Sequence, residues 1–143
     1  MADKSYLLDI VTPEKKVFSE KVTFAIFPGA EGELGVLVDH APLLSRLNAG
    51  EIRITRSGGV DSLAISGGFL EVRKNEVSVI AETAEFANQI DIDRARSEKT
   101  AAEAELKQAS TPADKKAAEL RFKQASAFVA IAEKATKTPQ EKH

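Results

Sequence analysis

Cysteine and tryptophan are absent from this chain of 143 residues, and methionine and tyrosine occur once each. Without cysteine there is no disulfide framework, no thiolate-bound zinc or iron–sulfur cluster and no thiol nucleophile. Neither sign of charge dominates: the net charge of −2 at pH 7 gives no general reason to bind nucleic acid or an anionic membrane. No apolar run approaches the roughly 18 residues of a membrane span, and the N-terminus lacks the apolar core of a signal peptide. We therefore expect a soluble, cytoplasmic protein of one compact domain, with room for a small appendage.

Glycine and alanine divide the chain into two regions. All eight glycines lie between Gly29 and Gly68, whereas most of the alanines lie at or beyond Ala81. Glycine favours turns and bulges, while alanine is the best helix former. The composition therefore predicts two units of different secondary structure, residues 1–87 and residues 88–143.

Short runs of β-branched and aromatic residues, separated by turn residues, recur through the first unit. The runs cover residues 6–11, 22–27, 34–38, 43–47, 52–56, 60–66, 69–73 and 77–81. Ser57-Gly58-Gly59 and Lys74-Asn75 are typical of hairpin turns. About eight to ten short strands with no helical stretch between them predict an antiparallel β-sandwich or a flattened barrel.

The apolar spacing becomes helical after Asp91, which is a candidate N-cap for the first helix. Thr111-Pro112-Ala113-Asp114 matches a capping box that starts a second helix. The predicted fold is therefore α+β, an antiparallel β-sandwich followed by an antiparallel two-helix hairpin. The second helix carries two apolar stripes, which is more than one partner helix needs, so we expect it also to contact the sandwich or another subunit.

Catalytic chemistry has few candidates in this sequence. The Gly-rich segment 29–35 brings Glu31 and Glu33 instead of a lysine, and a strand follows it, so it does not fit a phosphate-binding loop. His40 is the only internal histidine, and its neighbour Asp39 would point to the opposite face of an extended chain. One histidine supports neither a metal site nor a catalytic triad. Binding or mechanical work is the better prediction, and we expect no enzyme activity.

Two other classes of protein stay open on the residues alone. A free-standing β-sandwich that binds a small ligand would need an apolar or aromatic-lined cavity, which aromatic residues at 6% disfavour. A small hydrolase would need a nucleophile, a base and a group that orients the base.

Four segments occur in a characteristic order along the chain. They are Pro28-Gly29-x-x-Gly32-x-Leu34-Gly35, His40-Ala41-Pro42-Leu43-Leu44, Ile65-Ser66-Gly67-Gly68-Phe69-Leu70-Glu71-Val72 and Ile90-Asp91-x-x-Arg94-Ala95. In this order the chain resembles the epsilon subunit of bacterial F-type ATP synthases. One departure is Val38-Asp39 before His40, where many members of that family carry Pro-Gly.

The resemblance implies a rotor subunit of a proton- or sodium-translocating ATP synthase at the cytoplasmic face of the bacterial inner membrane. Its sandwich would bind the gamma subunit and rest on the c-ring, which couples ring rotation to the catalytic head. Glu31, Glu33 and His40 match the end of the sandwich that faces the c-ring and are the implied contact candidates.

The resemblance also implies a regulatory hairpin, which inhibits ATP hydrolysis when it extends and meets the catalytic alpha and beta subunits. Some family members bind ATP on the folded hairpin. The positions that match the first half of that ATP site are Glu85, Ile90, Asp91, Arg94 and Ala95.

The second half of the implied ATP site is missing from this sequence. Gln124 and Phe128 stand where the family has two arginines, and the nearby Arg121 and Lys123 are expected to point elsewhere on the helix. No cofactor is required, and we expect ATP to bind weakly, as a regulatory ligand, or not at all.

Overall fold

The computed structural model describes residues 4–137, in which ten strands are followed by two long helices. The strands are β1 (Tyr6–Val11), β2 (Lys16–Val22), β3 (Phe24–Gly29), β4 (Gly32–Leu37), β5 (Leu43–Leu47), β6 (Gly50–Arg56), β7 (Gly59–Ile65), β8 (Gly68–Arg73), β9 (Glu76–Ala81) and β10 (Ala84–Phe86). A 3₁₀ turn at Ala87–Gln89 leads into α1 (Ile92–Gln108) and α2 (Pro112–Lys137). The predicted β-sandwich followed by a helical hairpin is confirmed. Among the described residues, no helix is long and apolar enough to cross a membrane.

The strands form one continuous sheet that folds over on itself. Their order is β10-β7-β6-β3-β5-β8-β9-β1-β2, and β4 pairs with β3 off this path. The sheet is antiparallel as predicted except at one pair, because β1 and β9 run parallel. A strand buries alternate side chains whichever way its neighbour runs, so the sequence pattern carries no sign of this pairing.

Two strands escaped the sequence prediction. β2 has an exposed, polar middle and buries only Phe18 and Val22, and β10 is three residues long. The predicted run 22–27 belongs to two strands, since β2 ends at Val22 and β3 begins at Phe24. Weak alternation and short length explain both omissions.

The core lies between the two layers of the folded sheet. Its fully buried aliphatic and aromatic side chains include Leu8, Ile10, Phe27, Ile52, Ile54, Leu63, Ile65, Leu70 and Val79. The buried hydroxyl of Tyr6 in β1 donates a hydrogen bond to the carbonyl oxygen of Val36 in β4, over 2.8 Å. Burial raises the pKa of Tyr6 well above its ordinary value, so the hydroxyl stays a donor.

Tight turns keep the strands in register as the sequence predicts. Arg56 pairs with Gly59 across the Ser57-Gly58 turn, where Gly58 has a φ of 101°. Asn75, with a φ of 61°, turns the chain between β8 and β9. These positive φ angles are the ones that glycine and asparagine tolerate best.

Both helices of the hairpin begin with the caps that the sequence predicts. Asp91 accepts a hydrogen bond from the backbone N–H of Arg94 over 3.1 Å, and Thr111 accepts one from Asp114 over 3.0 Å. The buried hairpin residues are mostly small: Ala95, Ala102, Ala118, Val129, Ile131 and Ala132. Small side chains allow the helices to approach closely but bury little apolar area, so the hairpin is weakly held.

The hydrogen bond from Tyr6 to Val36 supplies a test of the fold. We expect Tyr6→Phe to lower the free energy of unfolding by about 1 kcal/mol, because it removes a buried hydrogen bond and keeps the aromatic ring. Urea denaturation would measure this difference. A loss no larger than that of Ser19→Ala, on the exposed part of β2, would contradict it.

Candidate functional site

The second helix packs on the outer face of β7. Ala64, which is fully buried, lies with Ala87 and Ile131 in a small apolar cluster. Partly buried residues complete this cluster: Ile90, Phe128 and Ala135. One of the two apolar stripes of α2, the one that carries Phe128, Ile131 and Ala135, therefore meets the sandwich, as the width of the apolar face predicts. We call this contact the docking cluster.

Two polar contacts flank the docking cluster. The side-chain amide of Gln124 donates to the carbonyl oxygen of Ser66 over 2.9 Å. The ammonium of Lys134 donates to Oε1 of Glu51 in β6 over 2.8 Å. Gln124 and Phe128, at the positions of the missing family arginines, thus both serve here to hold α2 against the sandwich.

Glu51 is the least exposed charged group at this contact, with 13% of its side chain accessible. Burial by itself would raise the pKa of the Glu51 carboxyl. The hydrogen bonds from Lys134 and Ser62 and the charges of Lys134 and Arg53 outweigh burial and lower this pKa. The carboxylate is therefore held in its ionised form.

Arg53 extends this arrangement to the edge of the sandwich. Its Nη1 lies 3.5 Å from Oε1 of Glu51, and its Nη2 lies 3.2 Å from Oε2 of Glu33 in β4. Four charged side chains of alternating sign thus form a continuous series, Glu33, Arg53, Glu51 and Lys134, which we call the ion-pair chain.

Sequence reasoning missed Arg53, Glu51 and Lys134. The alternation in 52–56 places Arg53 on a wet face of β6, but nothing in the sequence links Glu51 to Lys134, which follows 83 residues later. Only the docking of α2 creates that proximity.

A groove of about 560 Å³ lies between the two helices and the end of the sandwich. Among the predicted ATP-site residues, Glu85 and Arg94 line it, and Gln124 and Phe128 line its opposite side. Arg121 also lines the groove, so the expectation that it points elsewhere is wrong. Both helices form the wall of this groove, so Arg121 of α2 lies beside residues of α1. A helical projection of α2 alone does not show this.

Three predicted residues do not line the groove. Ile90 packs in the docking cluster, Asp91 caps α1, and Ala95 is buried in the hairpin with 4% exposed. The structure therefore brings together only Glu85 and Arg94 from the first half of the predicted ATP site.

The groove is acidic, and its arginines are already paired. Arg94 lies 3.9 Å from Glu85 and 3.5 Å from Glu98, and Arg121 donates to Glu105 over 2.6 Å. The hydrogen bond that Arg121 donates to Glu105 raises the pKa of Arg121. Four carboxylates against two guanidiniums line the space: Glu82, Glu85, Glu98, Glu105, Arg94 and Arg121. A polyphosphate would meet net negative charge here.

The three predicted contact residues lie on β4 and in the turns at its two ends. Glu31 is exposed in the turn before β4, Glu33 stands near the start of β4, and His40 follows its end. Nδ1 of His40 lies 2.7 Å from the carbonyl oxygen of Ala41, and Asp39 takes a φ of 66° in the turn. β4 separates Glu33 from Leu37 by about 13 Å at about 3.3 Å per residue, and a turn closed by the hydrogen bond from the His40 N–H to the carbonyl oxygen of Leu37 then places His40 beside that end of the strand.

Metal-ligating side chains do not gather in the described part of the chain. Within residues 4–137, no group of three His, Asp or Glu side chains is arranged to hold a metal ion.

The sandwich matches the family description "ATP synthase, Delta/Epsilon chain, beta-sandwich domain" over residues 5–87. A curated relative, the ATP synthase epsilon chain of Desulforamulus reducens, is 45% identical over 130 residues, which is 91% of this chain and 98% of the relative. The chain belongs to the ATP synthase epsilon chain family.

Solved structures share the epsilon-chain fold at lower identity. A chain in the Euglena gracilis mitochondrial ATP synthase, in an assembly described as OSCP/F1/c-ring, aligns with a TM-score of 0.75 at 22% identity. That alignment covers 96% of this chain and 84% of the other. A chain from the central stalk/c-ring of the Tetrahymena thermophila mitochondrial ATP synthase aligns with a TM-score of 0.68 at 16% identity, over 92% and 99%.

The lowered pKa of Glu51 predicts how docking depends on pH. A carboxyl whose pKa is depressed in the folded protein contributes stability above its ordinary pKa, here 4.5, and loses that contribution as pH falls through its folded pKa. We expect Glu51→Gln to lower the free energy of unfolding by about 1 kcal/mol at pH 7. The difference from the native chain should shrink below pH 4.5.

Urea denaturation of both chains between pH 7 and pH 3 would measure this. Glu71→Gln, at an exposed carboxylate of β8, is the matched control and should change little. A difference that stays constant across the pH range would contradict the assignment.

Proposed function

We propose that this chain is a rotor subunit of the central stalk, which works with gamma to couple c-ring rotation to the catalytic head. The observation that carries the proposal is the likeness to epsilon chains over both the sandwich and the hairpin, 45% identity over 91% of the chain. The similar folds in an F1/c-ring assembly and in a central stalk support it. A free-standing ligand-binding module would not require the hairpin to follow the family this closely.

The subunit is non-catalytic in this proposal and needs no cofactor. It is a peripheral component of the complex at the cytoplasmic face of the bacterial inner membrane, where the c-ring meets the stalk. Its contacts are with other protein subunits, and neither membrane insertion nor nucleic acid is part of the function.

The edge strand β4 is the proposed contact surface for the c-ring or gamma. β4 pairs only with β3 among the described strands, so no second strand covers its other edge. A partner surface that lies along β4 would meet Glu31, Glu33 and His40 together, because they lie on the strand and in the turns at its two ends. The exposed side chains of Leu37 and Leu44 offer apolar contacts near His40.

The hairpin is the proposed regulatory element. Its extended form would reach the catalytic alpha and beta subunits and inhibit ATP hydrolysis. α1 has 17 residues and α2 has 26, which would span about 60 Å end to end at about 1.5 Å per residue. The small docking cluster supports such a release, because it buries little apolar area.

Removal of residues 90–143 tests both parts of the proposal in the assembled enzyme. We expect the shortened chain to join the complex and to sustain ATP-driven ion pumping, because the sandwich carries the contact surface. We expect ATP hydrolysis to rise, because the inhibiting element is gone. Unchanged hydrolysis would refute the regulatory role, and failure of the shortened chain to join gamma would refute the rotor contact.

ATP is proposed as a weak regulatory ligand at most. The groove is acidic, its two arginines are paired, and Gln124 and Phe128 are engaged in docking. Titration calorimetry should therefore find no micromolar affinity for ATP. The double variant Gln124→Arg with Phe128→Arg, which restores positive charge to the groove, should bind ATP more tightly than the native chain. Micromolar binding to the native chain would contradict the assignment.

A further inference from the structure

The ion-pair chain joins the edge of the sandwich to the hairpin. Glu33 stands on β4 with 66% of its side chain exposed, and Lys134 stands on α2. Only two side chains separate them, Arg53 and Glu51, which lie two residues apart on the outer face of β6. Glu51 pairs across the sheet with Ala64, the residue on which α2 rests.

One oxygen of Glu51 serves two cations. Its Oε1 accepts from Lys134 at 2.8 Å and lies 3.5 Å from Nη1 of Arg53. The other oxygen accepts from Ser62. Arg53 is meanwhile drawn away by Glu33, whose carboxylate lies 3.2 Å from Nη2. Glu33 and Glu51 thus share the guanidinium of Arg53, and Arg53 and Lys134 share Oε1 of Glu51.

We propose that Glu33 controls the docking of α2, because loss of its pull on Arg53 frees that guanidinium to displace Lys134 from Glu51. A partner surface that engages Glu33 would then loosen the hairpin, and withdrawal of the partner would restore it. This inference rests on the proposed function in one respect only, the identity of the partner surface that contacts Glu33. The docked and undocked positions of α2 are the two states that the pairing biases.

The size of the effect follows from exposure. The pair of Glu33 with Arg53 is largely exposed, and such pairs shift equilibria by a small factor. The pair of Glu51 with Lys134 is shielded on the Glu51 side, so a change there is felt more strongly. We expect neutralisation of Glu33 to raise the undocking equilibrium constant about two- to fivefold.

A single cysteine reports undocking directly, since the chain has none of its own. Ala64→Cys places a thiol beneath α2, on the outer face of β7, where iodoacetamide reaches it when the helix leaves. When redocking is fast, the rate of alkylation is proportional to the undocking equilibrium constant. Ala87→Cys, in the same docking cluster, is the second reporter. Agreement between the two would show that the rate does not depend on a local disturbance caused by Ala64→Cys.

Glu33→Gln in this background should alkylate two- to fivefold faster. Glu31→Gln is the matched control. It removes the same charge from the turn between β3 and β4, two residues before Glu33 and outside the ion-pair chain, and it should leave the rate of alkylation unchanged. The effect of Glu33→Gln should disappear in chains that also carry Arg53→Gln or Lys134→Gln, because the connection is then broken.

Three results would overturn the inference: an unchanged rate in Glu33→Gln, an equal acceleration in Glu31→Gln, or an undiminished effect in the Arg53→Gln and Lys134→Gln backgrounds. These measurements use the isolated full chain. Failure of the rotor proposal in the assembled enzyme would therefore leave them intact, and the two failures are distinguishable.

Discussion

The contact between α2 and β7 is the interaction on which the rest of the arrangement depends. It rests on Ala64, a small side chain on the outer face of a strand whose inner face belongs to the sandwich core. A methyl group lets the helix approach the sheet closely but contributes little apolar burial. The hairpin is therefore placed with precision and held with modest energy.

Polar contacts supply much of the remaining stabilisation of the docked hairpin. Gln124 reaches a backbone carbonyl, and Lys134 reaches a carboxylate that is largely shielded from water. Hydrogen bonds to charged and partly buried groups contribute more than exposed pairs do. Gln124 also lines the groove between the helices, which is acidic because four carboxylates and only two guanidiniums line it.

The edge of the sandwich and the hairpin are linked because β6 faces both. Arg53 points toward β4, and Glu51 points toward α2, from adjacent positions on one face of the same strand. Edge strands leave unpaired backbone groups that partners can meet. The proposed contact surface on β4 and the hairpin docked on β7 are therefore joined by one short series of charges.

The sequence by itself determined the local structure: the glycine-rich turns, most strands, the caps at Asp91 and Thr111, and the presence of a surplus apolar stripe on α2. Each depends on residues within a few positions of one another, where propensity and periodicity act. The tertiary structure alone decided the parallel pairing of β1 with β9, the place of Arg121 in the groove, and the meeting of Glu51 with Lys134. These depend on how elements distant in the sequence pack together. The sequence pattern shows which face of a helix or strand is buried, but not which other element covers that face.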